Sequence, residues 1–257
     1  MDTWKNKTVV VTGGSAGLGE AIAREFIGRG AKVAVISRTP PNQPLSNSRH
    51  FAANVTNDRS VETAVKEIAE HFGRIDVWIN NVGQSIRTSL SDSTVEDYQR
   101  LLEINFLSAV RCSLAVLPHV EKTSGSIVQI GSLASKTGWK HVAPYVTSKH
   151  ALAGFAHQLR LEAPPNVHSM LVCPGPIRRE DSATRYADQS EGLDQSVAAP
   201  GAGVKISGID PAVLAKKVAD GIQRRKPELV VPAKTRLLFA LLQLSPRYGD
   251  WLLRQFA

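Results

Sequence analysis

The chain is poor in cysteine. Only Cys112 and Cys173 occur in 257 residues, and each lies inside an apolar run. That excludes a disulfide framework and a cysteine-based metal site, and both residues read as buried, reduced thiols. No metal-ligand spacing, internal repeat or low-complexity tail is present. The N-terminus runs from Met1 through Lys7 straight into an apolar strand, leaving no room for a signal peptide, so the expected location is the cytoplasm. Cation runs are also scarce, despite a formal net charge of +8. Arg224-Arg225-Lys226 stands alone, without a DNA or RNA motif, and reads as a solvated helix end, which argues against a nucleic-acid partner. A basic balance also suits an anionic cofactor. In the tail, Arg236, Arg247, Asp250 and Arg254 interrupt every apolar stretch, so no helix there reaches the roughly 20 apolar residues of a membrane span.

What is there alternates. Lys7–Thr12, Lys32–Ser37, His50–Val55, Ile75–Asn80, Gly125–Gly131 and Val167–Cys173 are short apolar runs read as strands. Helical periodicity fills the gaps, including one long helix from about Thr94 to Leu117. Near-continuous apolar strands separated by helices predict a parallel sheet covered on both faces, of doubly wound α/β type. No domain boundary interrupts residues 1–257. A last helix from Pro211, a strand at Leu229–Val231 and apolar helices over about 234–257 close the chain. For those helices, packing on the protein's own domain or an oligomer partner is favoured over contact with a lipid monolayer or a wall for an apolar substrate.

Two local patterns carry chemistry. The first strand is followed by Gly13-Gly14-Ser15-Ala16-Gly17-Leu18-Gly19 and then a helix, which places main-chain N–H groups and a positive dipole end where a phosphate can sit. The same residues also match the Gly-x-Ser-x-Gly nucleophile elbow of hydrolases, with Ser15 as nucleophile. That fold needs several strands before its elbow, and only one precedes Ser15, so the hydrolase is the weaker reading. The second pattern opens a helix at Ala143-Pro144-Tyr145-Val146-Thr147-Ser148-Lys149. Tyr145 and Lys149 are four apart and share a helix face. A phenol titrates near 10 when unperturbed. A nearby ammonium and the helix N-terminus both favour its phenolate, which makes the pair a candidate general acid/base.

With these two patterns in hand, the chain resembles the classical short-chain dehydrogenase/reductase family over roughly residues 6–232. The resemblance rests on Thr12-Gly13-x-x-x-Gly17-x-Gly19, Asn80-Asn81-Val82-Gly83, Asn105, Ser132, Tyr145-x-x-x-Lys149 and Pro174-Gly175. It implies a single-domain Rossmann-type fold and a catalytic set of Asn105, Ser132, Tyr145 and Lys149. Tyr145 would exchange the proton of a carbonyl/alcohol pair. Lys149 would lower its pKa and hold the nicotinamide ribose, Ser132 would orient the substrate oxygen, and Asn105 would hold a water relaying protons from Lys149. The cofactor contacts implied are Gly13, Ser15, Gly17, Leu18 and Gly19 in the loop, then Asn54 and Val55 beside the adenine. Asn81, Val82 and Gly83 would border the adenine ribose, Pro174 and Gly175 would also line the cofactor, and the Ile177 main chain would meet the carboxamide.

The second strand ends Ile36-Ser37-Arg38-Thr39 without a carboxylate. In the family an acid there binds a ribose hydroxyl and an arginine accepts a 2′-phosphate, so NADP(H) is the expected cofactor, held by Arg38 with hydroxyls from Ser37 and Thr39. The expected activity is reversible hydride transfer between a carbonyl and a secondary alcohol on a small molecule, in a homodimer or homotetramer. A non-catalytic NADP(H)-binding regulatory protein on the same fold is the alternative. The family's usual threonine after Pro174-Gly175 is missing here. Arg178 or Arg179 then stands between phosphate contact and exposed loop, and about 178–208 would form the substrate lid. Gln84, Trp139 and His141 fall near the pocket by chain position.

Overall fold

The computed structural model describes residues 3–43, 45–179 and 207–256. Its centre is one seven-stranded parallel sheet in the order β3-β2-β1-β4-β5-β6-β7. The strands are β1 (Thr8–Thr12), β2 (Lys32–Ser37), β3 (Ser48–Ala52), β4 (Val77–Asn80), β5 (Ser126–Ile130), β6 (His168–Pro174) and β7 (Glu228–Val231). The helices are α1 (Gly17–Gly28), α2 (Asp58–Phe72), α3 (Val95–Leu102), α4 (Ser108–Lys122), α5 (Ala143–Glu162), α6 (Pro211–Gln223), α7 (Thr235–Leu244) and α8 (Pro246–Phe256).

Alternation along the buried strands sorts side chains into two layers. Val9, Val11, Val33, Val35, Ile79 and Val128 pack with Ile22, Phe26, Leu214 and Val218 of α1 and α6 on one face. Val10, Ala34, Ile36, Trp78 and Ile127 pack with Val61, Val65, Cys112 and Val116 of α2 and α4 on the other. The β1–α1–β2 half grows outward one way and β4 begins the other half, so β1 and β4 flank the point where strand order reverses. In such sheets ligands bind at the carboxyl ends of the strands at that point. Every family motif residue quoted above lies at the strand ends, loops or helix starts there, or on the helices packed beside them.

Three expectations need correction. The third strand stops at Ala52, short of Val55, because the Asn54 side-chain carbonyl accepts from Thr56 N and Thr56 Oγ1 (3.2 and 2.9 Å) and turns the chain. The long helix is interrupted by a π-helical turn over Glu103–Leu107, with Asn105 at its centre. It also runs past Pro118 to Lys122, since burial of Val120 in the second core layer offsets the hydrogen bond that a proline cannot make. The expected lid falls largely outside the described residues, but its two ends are paired. Arg178 N donates to Ile209 O (2.9 Å) and Ile209 N to Pro176 O (2.7 Å).

Candidate active site

The glycine loop is shaped by close approaches. Gly13 and Gly17 adopt φ of +64° and +56°, which L side chains rarely take. A Cβ on Gly19 would sit 2.2 Å from Gly13 O and 2.6 Å from Asn81 Nδ2, so the loop closes onto its own helix only with glycine there. Ala16 caps α1 with no side-chain acceptor, and the first bond runs from Glu20 N to Ala16 O (3.2 Å). The N–H groups of Gly17, Leu18 and Gly19 therefore have no partner among the described residues, and a Cβ on Gly17 would meet open space. The arrangement fits a pyrophosphate. The Leu18 side chain is buried in the core, so only its main chain faces the loop. The Ser15 hydroxyl makes no hydrogen bond among the described residues, and no histidine primes it, which removes the structural basis for the hydrolase reading. Gly19→Ala is expected to destabilise the protein by roughly 3 kcal/mol and to abolish dinucleotide binding. Calorimetric melting and a binding titration test this, and wild-type values in both would mean that the loop has slack.

Asn81 is bonded to the glycine loop. Its Nδ2 donates to Thr12 O (3.0 Å) and Gly13 O (3.3 Å), while its N–H donates to Thr12 Oγ1 (3.0 Å). It ties β4 to the glycine loop and positions that loop. A Cβ on Gly83 would lie 3.1 Å from Asn105 Oδ1 and 3.3 Å from Lys149 Nζ, so the chain passes close against both side chains there. Val82 is half-buried against the loop, where its Cγ2 lies 3.2 Å from a Cβ built on Gly13. Val55 is buried in the core beneath Asn54.

Lys149 is buried, and its Nζ donates to Ile130 O (2.9 Å) at the end of β5. The ammonium lies 5.9 Å from the centroid of the half-buried Tyr145 ring, one helical turn earlier. Burial lowers the Lys149 pKa to about 8, with Cys173 acting weakly the other way. The Cys173 thiol itself is pushed up to about 12 by burial and stays neutral. Ser132 begins a short 3-10 turn (Leu133–Ser135) and its Oγ accepts from Ala134 N (3.1 Å). That bond uses one lone pair and leaves the hydroxyl hydrogen for a substrate oxygen.

The Asn105 side chain is braced within the protein. Both Nδ2 hydrogens are taken, by Gln84 O (2.8 Å) and Ser148 Oγ (2.9 Å), and Oδ1 accepts from Gln84 N (2.7 Å). Ser148 in turn donates to Tyr145 O (2.8 Å). This chain of bonds, fully buried at Asn105 and Ser148, fixes the start of α5 against the π turn. Ser148 escaped the sequence reading, although a serine three residues after Tyr145 on an otherwise buried helix face was a usable signal.

At the end of β2, Arg38 is exposed and has no hydrogen bond or ion pair among the described residues. Ser37 is different. Its Oγ donates to Thr39 O (2.6 Å), and His50 Nε2 lies 3.0 Å from that Oγ and 3.1 Å from Ser37 O. A carbonyl only accepts, so His50 carries its hydrogen on Nε2 and donates to both atoms. The Ser37 hydroxyl hydrogen is thus used within the turn. His50 had no sequence signal, because its contact depends on β3 lying beside β2 in the register Val35↔His50. Arg178 pairs with Asp210 (2.7 Å) at an exposed end of the loop after β6. Pro174 and Gly175 are buried, with Gly175 N on Val231 O (2.7 Å). The bridge between Ile177 and Ile209 uses the neighbours of Ile177, leaving its own N–H without a partner among the described residues.

A dinucleotide-type cradle beside a helix-borne Tyr–Lys pair defines an oxidoreductase site rather than a hydrolytic one. The short chain dehydrogenase family model matches residues 7–190, and the chain belongs to that family. It is 31% identical to the L-fucose dehydrogenase of Mus musculus over 208 residues, covering 77% of this chain and 76% of that one. It is 30% identical to the 11-beta-hydroxysteroid dehydrogenase-like 4A of Arabidopsis thaliana over 251 residues, covering 93% and 81%. The aldohexose dehydrogenase of Thermoplasma acidophilum in its ligand-free form superposes with a TM-score of 0.77 at 26% identity, covering 90% and 94% of the two chains. Family membership makes this chain an oxidoreductase that uses a nicotinamide cofactor on a small-molecule substrate.

Proposed function

We propose that the protein is an NADP(H)-dependent enzyme that interconverts a carbonyl and a secondary alcohol, with Tyr145 as the general acid/base. The observation that carries this reading is the lysine. A buried ammonium disfavours folding, yet Lys149 is held under the Tyr145 ring at the ligand end of the sheet. A binding protein without turnover gains nothing from that arrangement. The nicotinamide, when bound, supplies the hydride to the carbonyl carbon in reduction. Tyr145 gives its phenolic proton to the oxygen, Ser132 Oγ donates to the same oxygen and orients it, and the phenolate regains a proton from solvent. Lys149, protonated at neutral pH, favours that transient phenolate. Asn105 acts through Ser148 as a positioning residue, and the free N–H of Ile177 suits a carboxamide oxygen.

NADP(H) is proposed over NAD(H) because Arg38 presents a guanidinium unpaired among the described residues, suited to a 2′-phosphate, where an acid would bind a ribose hydroxyl. Thr39 can add a hydroxyl; Ser37 is already committed. The reductive direction follows from a reduced NADP pool. Two buried, unpaired cysteines suit the cytoplasm, and the exposed Leu114 and Leu161 on α4 and α5 suit a homodimer or homotetramer.

The test is a titration with NADPH and, separately, NADH, followed by tryptophan fluorescence. In Arg38→Ala the Kd for NADPH is expected to rise about 10- to 100-fold, the loss of one charge-assisted contact, with little change for NADH. Equal effects on both cofactors would remove Arg38 from the site and the NADP preference with it.

A further inference from the structure

The last two helices leave an apolar face uncovered. α7 turns Thr235, Phe239 and Leu242 inward, packing on Leu133, Leu171, Cys173 and Val230. Leu237, Leu241 and Leu244, spaced four and three apart, fall on the opposite side of the helix and are 69%, 41% and 80% exposed. In α8, Tyr248 and Trp251 are both more than half exposed and stack on each other, with ring centroids 5.8 Å apart. Among the described residues, five of the eleven exposed large hydrophobic ones thus fall between Leu237 and Trp251, and such clustering marks an interaction surface.

The charges around it identify the partner. Lys234 and Arg236 flank the leucine stripe on its two sides at the helical spacing, and Arg247 follows in α8, all three exposed. Asp250 is the one acid between Pro232 and Phe256. A second copy docking here by a two-fold axis would bring a rim of the same sign against this one, and like-charge contact is costly. An anionic lipid surface complements all three features. Leucines enter the acyl boundary, the Tyr–Trp pair sits at headgroup level, and the cations meet phosphates.

We propose that the α7–α8 face is a docking surface for an anionic membrane leaflet. The helix lies flat there and does not span. Because the inner side of α7 packs on Leu133, docking sets the turn that carries Ser132 about one helix diameter, some 10 Å, from the headgroups. The proposal does not depend on the cofactor or on catalysis.

Flotation of the full chain tests it, with vesicles of phosphatidylcholine alone and of phosphatidylcholine mixed with phosphatidylglycerol. The protein is expected to float with the mixed vesicles only, and to be released by high salt. Arg236→Gln with Arg247→Gln should weaken partitioning roughly 10- to 30-fold, at about 1 kcal/mol per cation. Leu241→Glu with Leu244→Glu should abolish it, with melting temperature and solution mass unchanged, since both side chains are exposed. Trp251→Phe should lose the fluorescence blue shift that the wild type shows on binding. No flotation with either vesicle would overturn the proposal. So would a glutamate variant that splits a wild-type oligomer, because a second copy would then be the occupant.

Discussion

Tyr145→Phe is expected to lower kcat by about 10²- to 10⁴-fold in either direction, the range for losing a positioned general acid/base. The Kd for NADPH should stay within about threefold. The substitution removes one oxygen and keeps the ring that packs at the start of α5. It also keeps Lys149 5.9 Å from the ring centre and the Lys149–Ile130 bond that fixes the ammonium. Nothing in the glycine loop or at Arg38 touches the phenol, so the adenine half of the site is untouched. Steady-state kinetics with any accepted carbonyl, paired with the fluorescence titration, separates the two quantities. Unchanged kcat would show that another group handles the proton and would sink the proposed mechanism. Parallel loss of binding and rate would mean that the phenol positions the cofactor rather than exchanging a proton.

Much of this site is legible in the chain because its key spacings are local. Gly13, Gly17 and Gly19 announce a loop that needs positive φ and close approach, and that loop lies where β1 meets α1. Tyr145 and Lys149 share a helix face by periodicity alone. Apolar runs mark the strands, since a strand buried on both faces has few polar positions. The illegible parts depend on neighbours distant in sequence. Asn105 bonds to residues 21 and 43 positions away, so its bracing contacts could not be read from its own context. The π turn that carries it leaves no compositional mark on an otherwise helical run. His50 reaches Ser37 only through the β2–β3 register, and a one-residue slip would turn it to the other face. Asn81 illustrates the same limit. Its place beside the loop is readable from the motif, but whether its amide turns to the ligand or to Thr12 O is decided by packing.

Lys149→Met should abolish turnover while making the cofactor-free protein more stable at neutral pH. The folded state holds this lysine at a pKa of about 8, because burial disfavours its charge. In the unfolded chain it titrates near 10.4. The unfolded state therefore binds the proton more tightly, so the penalty is fully present below about pH 8. It is relieved as pH rises from there toward 10.4. Its size is about 3 kcal/mol, at about 1.4 kcal/mol per pKa unit. Against that stands Ile130 O, which loses its donor when Nζ is removed, at a cost of about 1–3 kcal/mol. Those figures leave a net gain of about 0–2 kcal/mol, or up to roughly 8 °C in Tm for a chain of this size. The advantage should shrink and then reverse between pH 8 and pH 10, as the wild type sheds its proton but keeps the bond to Ile130. Melting curves of both proteins without cofactor across that range decide it. A variant less stable than the wild type at pH 7 would show that the ammonium is held favourably and that Lys149 contributes to the fold. An advantage that vanishes with rising pH, joined to lost turnover, would show that the fold carries this charge at a cost because the reaction at Tyr145 requires it.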